Sequence, residues 1–346
     1  MSGTTRPPNE SPTAPSARPG AWARVLEDLV ARGRYGDALE TFHGLDDAGR
    51  GDPDTRLQAA RAASYLGELE TARSLAAAAL VSFDSRNDER GRMGAVNLEG
   101  AIAFERGDYH AAGASFREAF ELAVQVEDYR MIARSLNNLA SIAFVEGRAP
   151  LAVNYYRSAL LAYRRLRDYR GQAETFCNLG IVERLAGRYE EAELAFEDAV
   201  HHAGLDGDPY LLALAWTGRA ELHLERGLLA EASRDLARAD ELAALAGDEI
   251  GRTEIGRIRA LLALAENKPS KAHIHAGETR ERARRRGLKL IESECCAISA
   301  RALKRLGDLR EAESFRAKAT AGLRALGART LLERFERDWE AAQPSG

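Results

Sequence analysis

A lattice of backbone-reversing residues with a 40-residue period runs through this chain. Gly67, Gly107, Gly147, Gly187, Gly227 and Gly307 all fall on it, and Asn267 fills the one gap. Glycine, and after it asparagine, enters left-handed backbone at least cost. Gly33 stands 34 residues before Gly67, so the first unit is shorter. Five residues after every lattice position comes alanine: Ala38, Ala72, Ala112, Ala152, Ala192, Ala232, Ala272 and Ala312. Seven residues before stand Ala60, Gly100, Ala140, Gly180, Ala220, Ala260 and Ala300, with Leu26 the exception.

Each lattice position is where one helix ends and the chain turns back. The small residues on either side let two antiparallel helices approach closely. Apolar residues such as Leu136, Leu139, Ala140 and Ala143 recur at helical spacing before the turn. Nine residues after it comes a larger filler: Phe42, Phe116, Tyr156, Phe196 or Leu236. Each unit is therefore a helical hairpin that cannot bury its apolar face alone and must stack on its neighbours. The expected fold is an all-α solenoid of about eight hairpins over residues 21–328. Residues 329–346 supply a C-terminal capping helix and a short tail, with Leu331, Leu332, Phe335 and Trp339 turned to the last repeat. Residues 1–20 hold five of the ten prolines among Ser, Thr and Asn and read as a disordered tail.

Asp88, Asp128, Asp168, Asp208 and Asp248 form another 40-residue column just before each next first helix. Asp caps helix N-termini and suits their positive end, and Pro209 after Asp208 fits the first helical position. One copy per repeat sets these carboxylates too far apart to share an ion or a substrate.

Gly-Asp-Tyr at 107–109 and Gly-Arg-Tyr at 33–35 and 187–189, each followed by the alanine, resemble the tetratricopeptide repeat. The period is similar to that of the longer-helix variety found in peptide-sensing bacterial regulators, maltose-regulator-like sensor domains and cell-polarity adaptors. The resemblance implies a right-handed α-α superhelix with the first helix of every hairpin lining a concave groove. It also implies groove-facing positions about thirteen, ten, nine, six and three residues before the lattice glycine. Those positions include Asn97, Arg134, Asn137, Asn138, Ser141, Glu174, Asn178, Arg184, Glu221, Arg257 and Arg301. Asn138 and Asn178 share one column, and Asn97 and Asn137 the next. An amide pairs with a peptide backbone without reading its sequence. It equally serves bonds inside the array, and both roles stay open.

The formal net charge of −4 over 346 residues argues against a generally basic nucleic-acid or membrane-surface binder. Three cysteines without framework spacing point to a reducing, cytoplasmic setting, and no run of 18 apolar residues occurs. His273 and His275 stand about 200° apart around a helix and cannot share a metal, and His201 and His202 fail similarly. Cys295 and Cys296 read as buried small residues. The run Arg280, Arg282, Arg284, Arg285 and Arg286 reads as favourable charge at a helix C-terminus. No catalytic spacing or phosphate-binding loop appears, so neither cofactor nor enzymatic activity is expected. The functional expectation is a non-enzymatic adaptor or sensor with a protein or peptide in its groove. The alternative is a self-assembling scaffold component acting with a separately encoded regulator or enzyme. Homo-oligomerisation stays open.

Overall fold

The computed structural model describes residues 20–31 and 33–342. Apart from Gly20, the expected N-terminal tail lies outside them. The described residues form eighteen helices and no strand. α1 (Ala21–Ala31) and α2 (Tyr35–His43) make the short first hairpin, followed by the brief α3 (Asp47–Gly51). Seven longer hairpins follow. They pair α4 (Pro53–Tyr65) with α5 (Leu69–Ser85), α6 (Glu89–Glu105) with α7 (Tyr109–Gln125), and α8 (Tyr129–Val145) with α9 (Ala149–Leu166). They continue with α10 (Tyr169–Leu185) and α11 (Tyr189–Asp206), then α12 (Pro209–Glu225) and α13 (Leu229–Ala246). The last two are α14 (Glu249–Ala265) with α15 (Pro269–Arg285) and α16 (Lys289–Arg305) with α17 (Leu309–Ala325), and α18 (Arg329–Ala341) ends the fold.

Every lattice residue sits inside a hairpin turn at positive φ, from 58° at Asn267 to 83° at Gly307. The alanines five residues later are all fully buried. The expected caps form: Asp88, Asp128, Asp168 and Asp248 each accept from the backbone N–H three residues on, and Asp208 accepts from Tyr210. A second lattice, between hairpins, was hidden from the glycine count. Asn87, Glu127, Arg167, Gly207, Gly247, Gly287 and Gly327 are 40 apart and all have positive φ. Three of these are not glycine, and Glu127 holds φ 54° at the full steric cost of its Cβ. Glu127→Gly is expected to stabilise the fold by about 0.5–1 kcal/mol, the strain relieved less glycine's extra unfolded entropy. Urea denaturation checks this, and an unchanged midpoint would contradict it.

The chain divides into two compact units between Ala162 and Tyr163. In the first, Leu26, Phe42, Leu57 and Phe83 build a core that α1, α2, α4, α5 and α6 share. In the second, Phe196, Leu236, Ile258 and Cys295 mark successive buried layers. There α18 lays Phe335 and Trp339 against Leu303, Phe315 and Leu323. Within the second unit the first helices α10, α12, α14 and α16 touch one another in turn, and α16 touches α18. Their shared face is where a site can form. No helix among the described residues is long and apolar enough to cross a membrane.

Candidate functional site

In the first unit the expected face is an amide ladder beside two cations. Asn97 on α6 is buried, and the Asn138 amide on α8 donates to its Oδ1 at 3.2 Å. This bond links equivalent faces of successive repeats and uses one of the Asn138 donors. Asn137 is half-buried on the same helix. Ser141 donates to the Asn137 carbonyl and meets the Tyr156 hydroxyl at 3.0 Å. Arg134 is exposed. Burial, then the nearby Arg134 charge, holds the Arg61 guanidinium below its ordinary value.

In the second unit Glu174 pairs with Arg170 at 3.2 Å, and Asn178 is half-buried on the same α10. The other expected residues of this unit converge on one cavity of about 510 Å³. Its apolar surface comes from Leu224, Leu261, Leu264, Leu290, Ile298 and Phe335. Arg184, Glu221, Arg257 and Arg301 all line it, on α10, α12, α14 and α16. They belong to a charged ladder that crosses helices. Arg184 donates to Glu225 at 2.5 Å and to Glu221 at 3.0 Å. Glu221 turns its other oxygen to Arg257 at 2.6 Å. Arg257 also pairs with Glu254 and reaches Glu294 at 3.5 Å. Arg301 pairs with Asp338 of α18 at 2.8 Å, and Arg305 donates to the Leu264 carbonyl at 2.7 Å.

The electrostatics of the two ends differ. Burial alone would lower the Arg257 guanidinium, but Glu254, Glu221 and Glu294 hold it well above its ordinary value. Glu294 is pushed up by burial and by Glu254 and Glu221, against the pull of Arg257. Arg301 is pushed down by burial and by Arg305 and Arg334, against the pull of Asp338.

The sequence pattern missed several lining residues. Glu225 stands two residues before the lattice position, a column outside the expected set. Arg334, Phe335 and Asp338 were hidden because α18 reads as a cap, whereas one of its faces also walls the cavity. Lys304, three residues before Gly307, turns instead to α18, where it donates to the Trp339 carbonyl at 2.6 Å.

The other tempting features are absorbed locally. Burial pushes the Cys177 and Cys295 thiols up to about 12, far from thiolate reactivity. Of the basic run, Arg280 lies over Phe315, Arg285 pairs with Glu281 and Arg286 with Glu249. Among the described residues no three His, Cys, Asp or Glu side chains gather as a metal site requires.

Residues 131–201 match the tetratricopeptide-repeat family, and the lattice extends the same hairpin along the chain. The chain has the tetratricopeptide-repeat fold. No curated protein matches it. Solved structures with the same fold include a Rap protein complexed with competence and sporulation factor. It is 14% identical, with TM-score 0.63 over 93% of this chain and 96% of that one. The Rap conjugation gene regulator of plasmid pLS20, in complex with the Phr* peptide, is 18% identical, with TM-score 0.56 over 76% and 74%. Aspartyl phosphate phosphatase F from Bacillus subtilis is 15% identical, with TM-score 0.64 over 95% and 89%. At these identities the likeness speaks for the tetratricopeptide fold.

Proposed function

We propose that this protein is a non-enzymatic adaptor or sensor that holds a polypeptide against the first helices of its hairpins. The observation that carries the reading is the cavity walled by α10, α12, α14, α16 and α18. Its volume of about 510 Å³ lies within the range of ligand sites, and it combines an apolar surface with fixed charged groups. The charged side chains are held by one another before any ligand arrives, which lowers the ordering cost of binding. The pLS20 regulator, solved with a peptide, is a precedent for the fold in this role. In this reading Asn138 and Asn178 offer amides to a peptide backbone on their respective units, with Arg134, Asn137 and Glu174 as polar neighbours. No cofactor, metal, membrane or nucleic acid takes part. The setting is cytoplasmic, in keeping with three cysteines that are all free and buried.

A photo-crosslinking amino acid at Leu290, which lines the cavity, tests this against one at Leu245, which is 76% exposed and outside it. In native lysate the first is expected to label discrete polypeptides and the second not to. Equal labelling from both positions, or none from Leu290, would overturn the reading.

A further inference from the structure

The cavity's charge reverses along the repeats. Glu221 and Glu225 stand six and two residues before the lattice glycine of α12. Eighty residues on, the same two positions of α16 carry Arg301 and Arg305. Between them α14 carries Leu261 and Ala265 there, so at these two positions an apolar pair separates two charged ones. On α10, α12 and α14, three carboxylates (Glu221, Glu225 and Glu254) face two guanidiniums (Arg184 and Arg257), a formal surplus of one negative charge. On α16 and α18, Arg301, Arg305 and Arg334 face Glu294 and Asp338, a surplus of one positive charge. Arg334 is exposed and makes no close ion pair with a described residue. The Arg301 Nε is buried with no acceptor.

From this geometry we infer that the cavity selects a polypeptide segment carrying a basic and an acidic side chain at a set separation, with apolar residues between. The basic group goes to the Glu221–Glu225–Glu254 end and the acidic group to Arg301, Arg305 and Arg334. The inference rests on the peptide-binding reading above and adds the charge pattern. Helices in contact lie 8–10 Å apart, so the two steps from α12 to α16 span roughly 16–20 Å. An extended chain rises about 3.3–3.6 Å per residue, which sets the two charged side chains about five residues apart. Apolar residues between them meet Leu261, Leu264 and Ile298. Arginine suits the acidic group because its planar fork takes a carboxylate with two parallel hydrogen bonds.

The probe is a set of peptide libraries with acetylated and amidated ends and four randomised apolar positions between two fixed residues. The fixed pair is Lys and Glu, Lys and Lys, or Glu and Glu. Affinity selection on the full chain, read by mass spectrometry, is expected to enrich the Lys/Glu library at least tenfold over the other two. Arg334→Glu changes an exposed residue that makes no close ion pair with a described residue, and it should keep the circular dichroism of the parent. It is expected to move the preference toward Lys/Lys. Capture of all three libraries alike would overturn the charge pattern and leave peptide binding standing. An unmoved preference in Arg334→Glu would overturn the assignment of the acidic group to the α16–α18 end. Capture of none would also overturn the inference, and crosslinking at Leu290 then decides whether peptide binding falls with it.

Discussion

Replacing Phe83 by alanine is expected to cost the first unit about 3–5 kcal/mol, and restoring the lost volume from a different helix should recover much of it. Phe83 is fully buried near the end of α5, and its ring lies where a side chain at Gly91 of α6 would begin. A Cβ on Gly91 would stand 2.1 Å from the ring. One repeat later the sizes are exchanged: Ala123 ends α7 and Met131 opens α8, packed in one cluster. At the next two joints Tyr163 meets Gly171, and Ala203 packs with Leu211. These four joints exchange which helix provides the large side chain, whereas further on Ala243 stands opposite Gly251 and Leu323 opposite Leu331 in the same columns. Gly91→Met alone drives a side chain into the Phe83 ring and should cost at least the ~1–3 kcal/mol of overpacking. The double variant Phe83→Ala with Gly91→Met reproduces the Ala123–Met131 arrangement. It is expected to be more stable than either single variant, a coupling that urea denaturation of all four proteins measures. Additive losses would show that the exchange at successive joints is coincidental.

That exchange marks the limit of what the repeat pattern made legible. The hairpins were readable because a turn needs a left-handed residue and a close helix pair needs alanine, and few side chains satisfy either demand. Hence Gly67 to Gly307 and Ala38 to Ala312 stand out from sequence alone. The joints between hairpins were half-legible. Their aspartates announce the caps, but Asn87, Glu127 and Arg167 hold the strained backbone without a glycine to mark it. Pairwise compensation such as Phe83 with Gly91 was illegible, because no single column is small or large throughout. In the site, column positions placed Arg184, Glu221, Arg257 and Arg301 on helices that do share one cavity. They could not tell which charges pair across helices, since Arg184 meets Glu221 and Glu225 some forty residues away. Nor could they show that a capping helix contributes Asp338.

The cross-helix pairing makes Arg257 the residue whose loss should be felt most in the second unit. Its side chain is one-tenth exposed and serves Glu221, Glu254 and Glu294 at once. Arg257→Ala leaves Glu254 and Glu294 without their cation in a poorly solvated place, while Glu221 keeps Arg184. Breaking a fully buried pair costs about 3–5 kcal/mol, and a loss near the lower figure is expected because Glu254 keeps a third of its side chain in water. The loss must depend on pH with a definite sign. Glu294 already lies above its ordinary carboxyl value through burial and its acidic neighbours, and removing Arg257 raises it further. A carboxyl whose folded value exceeds its unfolded one binds its proton more tightly in the folded state. Stability from such a group is present at acidic pH and falls as pH rises through the unfolded and then the folded value. The deficit of Arg257→Ala should therefore be largest at neutral pH and shrink on acidification toward the ordinary carboxyl range. Arg257→Met combined with Glu254→Gln and Glu294→Gln removes the charges together and should recover most of the loss at neutral pH. Thermal melts of the three proteins across pH separate these outcomes. A deficit that stays constant with pH, or a combined variant no better than Arg257→Ala, would mean that Arg257 acts by packing its aliphatic stem rather than by neutralising the carboxylates around it.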